Sequence, residues 1–134
     1  MARILLAEDE AALRAFVARA LAMDRHEVVA TADGGEALDA LARAHGKFDL
    51  LLTDIRMPVM DGIALALAVA RDYPELTILL MTGYADQRER AHGLDALIHD
   101  VVAKPFSLGD IRKTVNEALV ARGGDRHGLT RAQD

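Results

Sequence analysis

No cysteine occurs among the 134 residues, which removes disulfides, thiolate nucleophiles and cysteine-held zinc from consideration. That absence also suits a reducing cytoplasm. Basic residues are outnumbered by acidic ones, 16 to 21, and the net charge of −5 is wrong for a domain devoted to nucleic acid, which would carry a basic face. No apolar run approaches membrane-spanning length, and Glu8 arrives too early for a signal-peptide apolar region. The expectation is a cytoplasmic protein whose partner is another protein. Aromatic residues are scarce at 4%, yet the hydrophobic fraction of 51% supports a packed core, and the length fits one domain. The histidines (His26, His45, His92, His99 and His127) have no metal-binding spacing, Gly34-Gly35 is no dinucleotide fingerprint, and no phosphate-cradling glycine loop exists.

What is present is a set of short runs rich in Ile, Val and Leu. Arg3–Ala7, His26–Thr31, Phe48–Thr53, Leu76–Met81 and Ile98–Ala103 each read as a buried strand. Helical patterns alternate with them, the mark of repeated strand–helix–strand units. Leu13, Phe16, Val17, Ala20 and Leu21 line one face of a first helix. Asp33 with Glu36 forms a helix-start capping pattern before Ala37, Leu38 and Leu41. Pro58 and Gly62 mark a loop, Ile63, Ala66, Leu67 and Ala70 a third helix, and Pro74 its end. The stretch Asp86–Asp95 has little to bury beyond Ala91 and Leu94, so a helix there is weakly anchored. Ser107 and Asp110 open a last helix whose inner stripe is Leu108, Ile111, Val115, Ala118 and Leu119. From Arg122 glycines and charges replace the pattern. The expected architecture is a five-stranded, parallel, doubly wound α/β domain over 1–121, followed by a disordered polar tail over 122–134 with no room for an output domain.

Polar residues sit where these runs stop. Glu8 and Asp9 follow the first, Asp54 the third, Thr82 the fourth and Lys104 the fifth. In open parallel sheets the carboxyl edge of the strands is where ligands bind. Taken singly, each has an ordinary explanation: a solvated helix start, a turn threonine, a loop lysine. Their joint placement at strand ends argues otherwise. A carboxylate such as Asp54 can act as a nucleophile and form an acyl phosphate. Glu8 and Asp9 beside it call for a counter-charge, which Mg²⁺ supplies by taking carboxylates, water and phosphate oxygens. The Lys104 ammonium and the Thr82 hydroxyl suit contacts to phosphoryl oxygens. The Lys104-Pro105 bond is of the one type in which a cis peptide is cheap.

These residues resemble the receiver domain of bacterial two-component response regulators. The resemblance covers residues 2–120 and is carried by Ile4–Glu10, Thr53–Gly62, Met81-Thr82-Gly83 and Lys104-Pro105-Phe106. It implies a CheY-like, flavodoxin-like fold with strand order 2-1-3-4-5. It further implies that Asp54 accepts a phosphoryl group from a histidine kinase or a histidine phosphotransfer protein. By the same resemblance Asp9 binds Mg²⁺ directly, Glu8 through water, and Arg56 through its carbonyl; Thr82 is the switch hydroxyl and Lys104 the phosphate-sensing lysine. One departure is Val101, which stands where the family usually has a switch aromatic, with Tyr84 as a nearby substitute. The runs Leu50–Gly62 and Met81–Asp86 also resemble alphaproteobacterial stand-alone receivers of the CpdR type, which control substrate delivery to the ClpXP protease. A phosphorelay shuttle and a flagellar-motor effector are the other roles left open.

Two other functions compete with the phosphorylation-switched binder. A phosphatase of the haloacid-dehalogenase type also uses an aspartate nucleophile and Mg²⁺, but needs a second acid two residues later to protonate the leaving group. That position is Arg56. A binding module that is never phosphorylated is the remaining alternative, and no site position is missing in a way that favours it.

Overall fold

The computed structural model describes residues 1–83 and 93–133, with side chains as far as Arg122. Five strands, β1 (Arg3–Ala7), β2 (Glu27–Thr31), β3 (Leu50–Asp54), β4 (Thr77–Thr82) and β5 (Asp100–Ala103), form one sheet in the order 2-1-3-4-5. Every pairing is parallel. The helices described between and after them are α1 (Ala11–Ala22), α2 (Gly34–Arg43), α3 (Gly62–Asp72) and α4 (Leu108–Gln133). The expected fold and strand order are what is found. Residues 84–92, which hold Tyr84 and most of the weakly anchored stretch, lie outside the described residues; the backbone of the expected polar tail is described as far as Gln133, where it continues α4 as helix rather than ending it at residue 121.

Strand periodicity divides the core into two layers. Ile4, Leu6, Leu50, Leu52, Leu79 and Met81 point to one face, where Val17 and Leu21 of α1 and Ile111 and Val115 of α4 cover them. Leu5, Leu51, Ile78 and Leu80 point to the other, beneath Leu41 of α2 and Leu65 and Val69 of α3. Because both faces are covered, the strands read as continuous apolar runs rather than as alternating ones. Strand boundaries differ from the sequence expectation by a residue or two: β3 and β4 run on to include Asp54 and Thr82, while β2, β3, β4 and β5 start one or two residues later than their apolar runs, because pairing with the neighbouring strand, not hydropathy, decides where a strand starts and stops.

Three helix starts are capped by side chains, two of them as the sequence suggests. Asp33 accepts the Glu36 N–H at 2.8 Å while Glu36 reaches back to the Ala32 N–H at 3.0 Å. Asp61 caps α3 by accepting the Ala64 N–H at 2.8 Å. Ser107 and Asp110 cap α4 reciprocally, at 3.0 and 3.1 Å. Such caps satisfy N–H groups that the helices cannot pair internally. They also fix the angle at which each helix leaves the carboxyl edge of the sheet, and so shape the loops there.

The loop from β3 to α3 is held from two sides. Gly62 donates its N–H to the Ile55 carbonyl at 2.7 Å, and Gly34 at the start of α2 donates to the Met60 carbonyl at 3.2 Å. A Cβ on Gly34 would come within 2.5 Å of that same oxygen. Between these contacts Val59 adopts φ 69°, a left-handed conformation that a β-branched side chain rarely accepts. The loop is therefore constrained next to Asp54.

Candidate functional site

Three loops and a strand end meet at the carboxyl edge of the sheet. Glu8 leaves β1 with its N–H on the Thr31 carbonyl at 3.0 Å, which turns its side chain under the sheet edge, where it is fully buried. Its Oε2 accepts the Glu10 N–H at 3.0 Å and its Oε1 faces Lys104 Nζ at 3.1 Å. Asp54 ends β3, is 6% exposed, and accepts the Ile55 N–H on Oδ1 at 2.9 Å. Its Oδ2 meets Lys104 Nζ at 3.1 Å. Lys104 thus bridges two buried carboxylates from the end of β5, across a Lys104-Pro105 peptide that is cis.

Carboxylate oxygens of Glu8, Asp9 and Asp54 lie within 4.8 Å of one another. They line an open cleft of about 840 Å³ together with Arg56, Gly83, Lys104 and an apolar rim of Leu13, Pro105 and Phe106. The sequence-predicted residues are therefore brought together: Glu8, Asp54 and Lys104 in direct contact, Asp9 in the same acidic cluster, and Arg56 on the cleft wall. Thr82 ends β4 one residue before Gly83, is buried, and accepts the Lys104 N–H on its carbonyl at 2.7 Å.

The electrostatics follow from this crowding. Burial raises the Glu8 carboxyl above its ordinary value, with the Asp54 charge acting the same way against the Glu10 N–H and Lys104. Burial likewise raises Asp54, opposed chiefly by Lys104. For Lys104 burial works downward, but the charges of Asp54 and Glu8 outweigh it and lift the ammonium. Three carboxylates facing one ammonium leave a surplus of negative charge, and every donor in the cluster is an oxygen. That combination fits a hard divalent cation.

Some supporting residues carry no signal in the sequence. Arg14, on α1, hydrogen-bonds the carbonyls of Glu8 and Asp9. Gly62 reads as a loop marker, yet its lack of a Cβ is what lets α3 begin against the Asp54 backbone. Both contacts are to main-chain atoms, which leave no trace in a pattern of side-chain types.

Residues 4–116 match the response regulator receiver domain family. The chain belongs to that family. Among curated relatives, the response regulator receiver protein CpdR of Brucella abortus is 37% identical over 121 residues, covering 90% of this chain and 99% of the relative. The sensor kinase CckA of the same organism is 36% identical over 119 residues, which are 88% of this chain and 12% of that kinase. Among solved structures, a CheY-like receiver from Methanospirillum hungatei superposes with a TM-score of 0.84 at 26% identity, covering 93% of this chain and 98% of that one. As a receiver, the chain has the role of a phosphoryl acceptor in two-component signalling. Receivers work with histidine kinases and generally bind Mg²⁺, and the acidic cluster here can hold a metal ion. No helix among the described residues is long and apolar enough to cross a membrane.

Proposed function

We propose that Asp54 is the phosphoacceptor and that phosphorylation switches this receiver's binding to a protein partner. The observation that carries this is Lys104 Nζ placed 3.1 Å from both Asp54 Oδ2 and Glu8 Oε1, inside a cluster of three carboxylates. An Asp54 oxygen attacks phosphorus, and a P–O bond forms while the bond from phosphorus to the donor's imidazole nitrogen breaks; the electron pair leaves with the imidazole. Asp9, Asp54 and the Arg56 carbonyl would hold Mg²⁺ directly, with Glu8 acting through water. The ion supplies charge neutralisation for the transferring phosphoryl group. Lys104 is poised to exchange its Asp54 contact for a phosphoryl oxygen, and the Thr82 hydroxyl to donate to another.

The donor is a histidine kinase or a histidine phosphotransfer protein, met in the cytoplasm, and the chain catalyses only its own phosphorylation and dephosphorylation. The likeness to CpdR across nearly the whole of that protein supports a downstream target in the ClpXP protease machinery. Incubation with acetyl phosphate, with and without Mg²⁺, followed by intact-mass measurement, tests the core of this reading. A phosphoryl adduct is expected on the wild type only with Mg²⁺ and not on Asp54→Asn. An adduct that persists in Asp54→Asn would overturn the assignment.

A further inference from the structure

Arg14 occupies a place where its charge is unfavourable. It lies at the end of the first turn of α1, and the exposed N–H groups of a helix start favour anions and disfavour cations. No acid stands in that first turn to offset it, and the N-cap residue Glu10 makes no side-chain capping bond. The acids near it, Glu8, Asp9 and Glu10, stand before the helix rather than on its first turn, and a residue that goes against a local rule is where a functional demand is to be sought.

The demand is visible in the contacts. Arg14 Nη1 donates to the Glu8 carbonyl at 2.9 Å and approaches the Asp9 carbonyl at 3.4 Å, while its own N–H begins the helix on the Glu10 carbonyl at 2.9 Å. One side chain thus ties down both peptide units of the acidic pair. Glu8 is also fixed through its N–H by Thr31 and through its carboxylate by Glu10 and Lys104. Asp9 is exposed, so the direction of its carboxylate depends on how its backbone is held.

We infer that Arg14 is a positioning residue for the metal site: it aims the Asp9 carboxylate into the acidic cluster by clamping the carbonyls of Glu8 and Asp9. The inference rests on the reading of Glu8, Asp9 and Asp54 as the Mg²⁺ site. Its sign separates it from a plain charge effect. Removing a cation near a divalent-ion site, with nothing else changed, tightens Mg²⁺ binding. Removing a clamp loosens it.

The test is calorimetric titration of the full chain with MgCl₂ for wild type, Arg14→Met and Arg14→Lys, with melting curves in EDTA alongside. Arg14→Met weakens Mg²⁺ binding about tenfold, the low end of what outer-shell partners typically contribute. At saturating Mg²⁺ its rate of modification by acetyl phosphate returns to within about twofold of wild type, a loss in binding rather than in the chemical step. Arg14→Lys, which keeps the charge and a donor but not the planar head that holds Nη1 between the two carbonyls, is intermediate. Arg14→Met that binds Mg²⁺ as tightly as wild type or more so overturns the inference, as does an affinity loss matched by a large drop in the EDTA melting temperature. If Arg14→Met does not fold, Arg14→Lys decides alone: weaker binding supports the clamp and unchanged binding removes it. A wild type that neither binds Mg²⁺ nor gains an adduct refutes the site reading itself, a result distinct from a failure confined to the Arg14 variants.

Discussion

Gly62 starts α3 directly against the backbone of Asp54: a Cβ built on Gly62 would overlap the Asp54 carbonyl oxygen and crowd the Ile55 Cα. The residue that ends the third strand and the residue that begins the next helix therefore share one small volume. Gly62→Ala forces the β3–α3 loop away from the strand. It destabilises the protein by about 2–3 kcal/mol, the upper range for overpacking, as read from urea unfolding. It also slows modification by acetyl phosphate, because Asp54 moves with the loop.

Asp54 contributes charge that the folded protein must accommodate. Glu8 and Asp54 both have raised carboxyl pKa values, for which burial is the leading cause. A raised carboxyl favours the fold when protonated, and that contribution is lost as pH rises through the folded value. Asp54→Asn therefore raises the melting temperature in EDTA at neutral pH by about 3–6 °C, the shift expected for roughly 1 kcal/mol in a domain of this size. Its stabilisation by added Mg²⁺ shrinks in parallel. A melting temperature below wild type in EDTA would show that the Lys104 contact outweighs the carboxylate crowding.

Lys104 is the opposite case. Its removal leaves Glu8 and Asp54 buried without the ammonium that bridges them. Lys104→Met costs about 3 kcal/mol in Mg²⁺-free buffer, as is typical when one partner of a buried ion pair is lost. Mg²⁺ recovers a larger share of stability in this variant than in wild type, since the cluster is then more negative. Chemical denaturation with and without MgCl₂ measures both.

A contribution to acid stability lies elsewhere, at Asp24. Arg112 holds its carboxylate through two bonds, at 2.6 and 3.0 Å, and Asn116 donates a third at 2.9 Å. Arg112, with Asn116 second, lowers the Asp24 pKa from 3.8 to about 2. A lowered carboxyl stabilises the fold above its ordinary value, and the contribution disappears as pH falls through the folded one. Asp24→Asn accordingly flattens the decline in melting temperature between about pH 4 and pH 2. An unchanged acid limb would place the acid-sensitive contacts in another carboxylate.

The fold was legible because both sheet faces are buried: runs such as Ile4-Leu5-Leu6 and Leu50-Leu51-Leu52 need no alternation to be strands. The grouping of the candidate site was legible because its side chains lie at strand ends, where one edge of the sheet gathers them. What the sequence does not show is held by the backbone or by distance along the chain. Arg14 and Gly62 act on carbonyl groups. Asn116 joins Asp24 to His26, residues 92 and 90 positions away, and the Ala2 N–H, 24 positions from His26, meets the other His26 nitrogen. Strand ends shifted because pairing with a neighbour outlasts the apolar run by one residue in β3 and β4 and begins one or two residues after the run starts in β2, β3, β4 and β5.

Lys104 is rooted at the end of β5, which borders the sheet and is paired on one side only, with β4. The ammonium therefore works as a mooring line from an edge strand to the carboxylates nearer the centre of the sheet. Under the proposed phosphorylation of Asp54 the line would be made fast to a different post, and the change would fall on the margin of the sheet, not its middle. In that reading the inner strands hold the carboxylates in place while the edge of the sheet carries the signal.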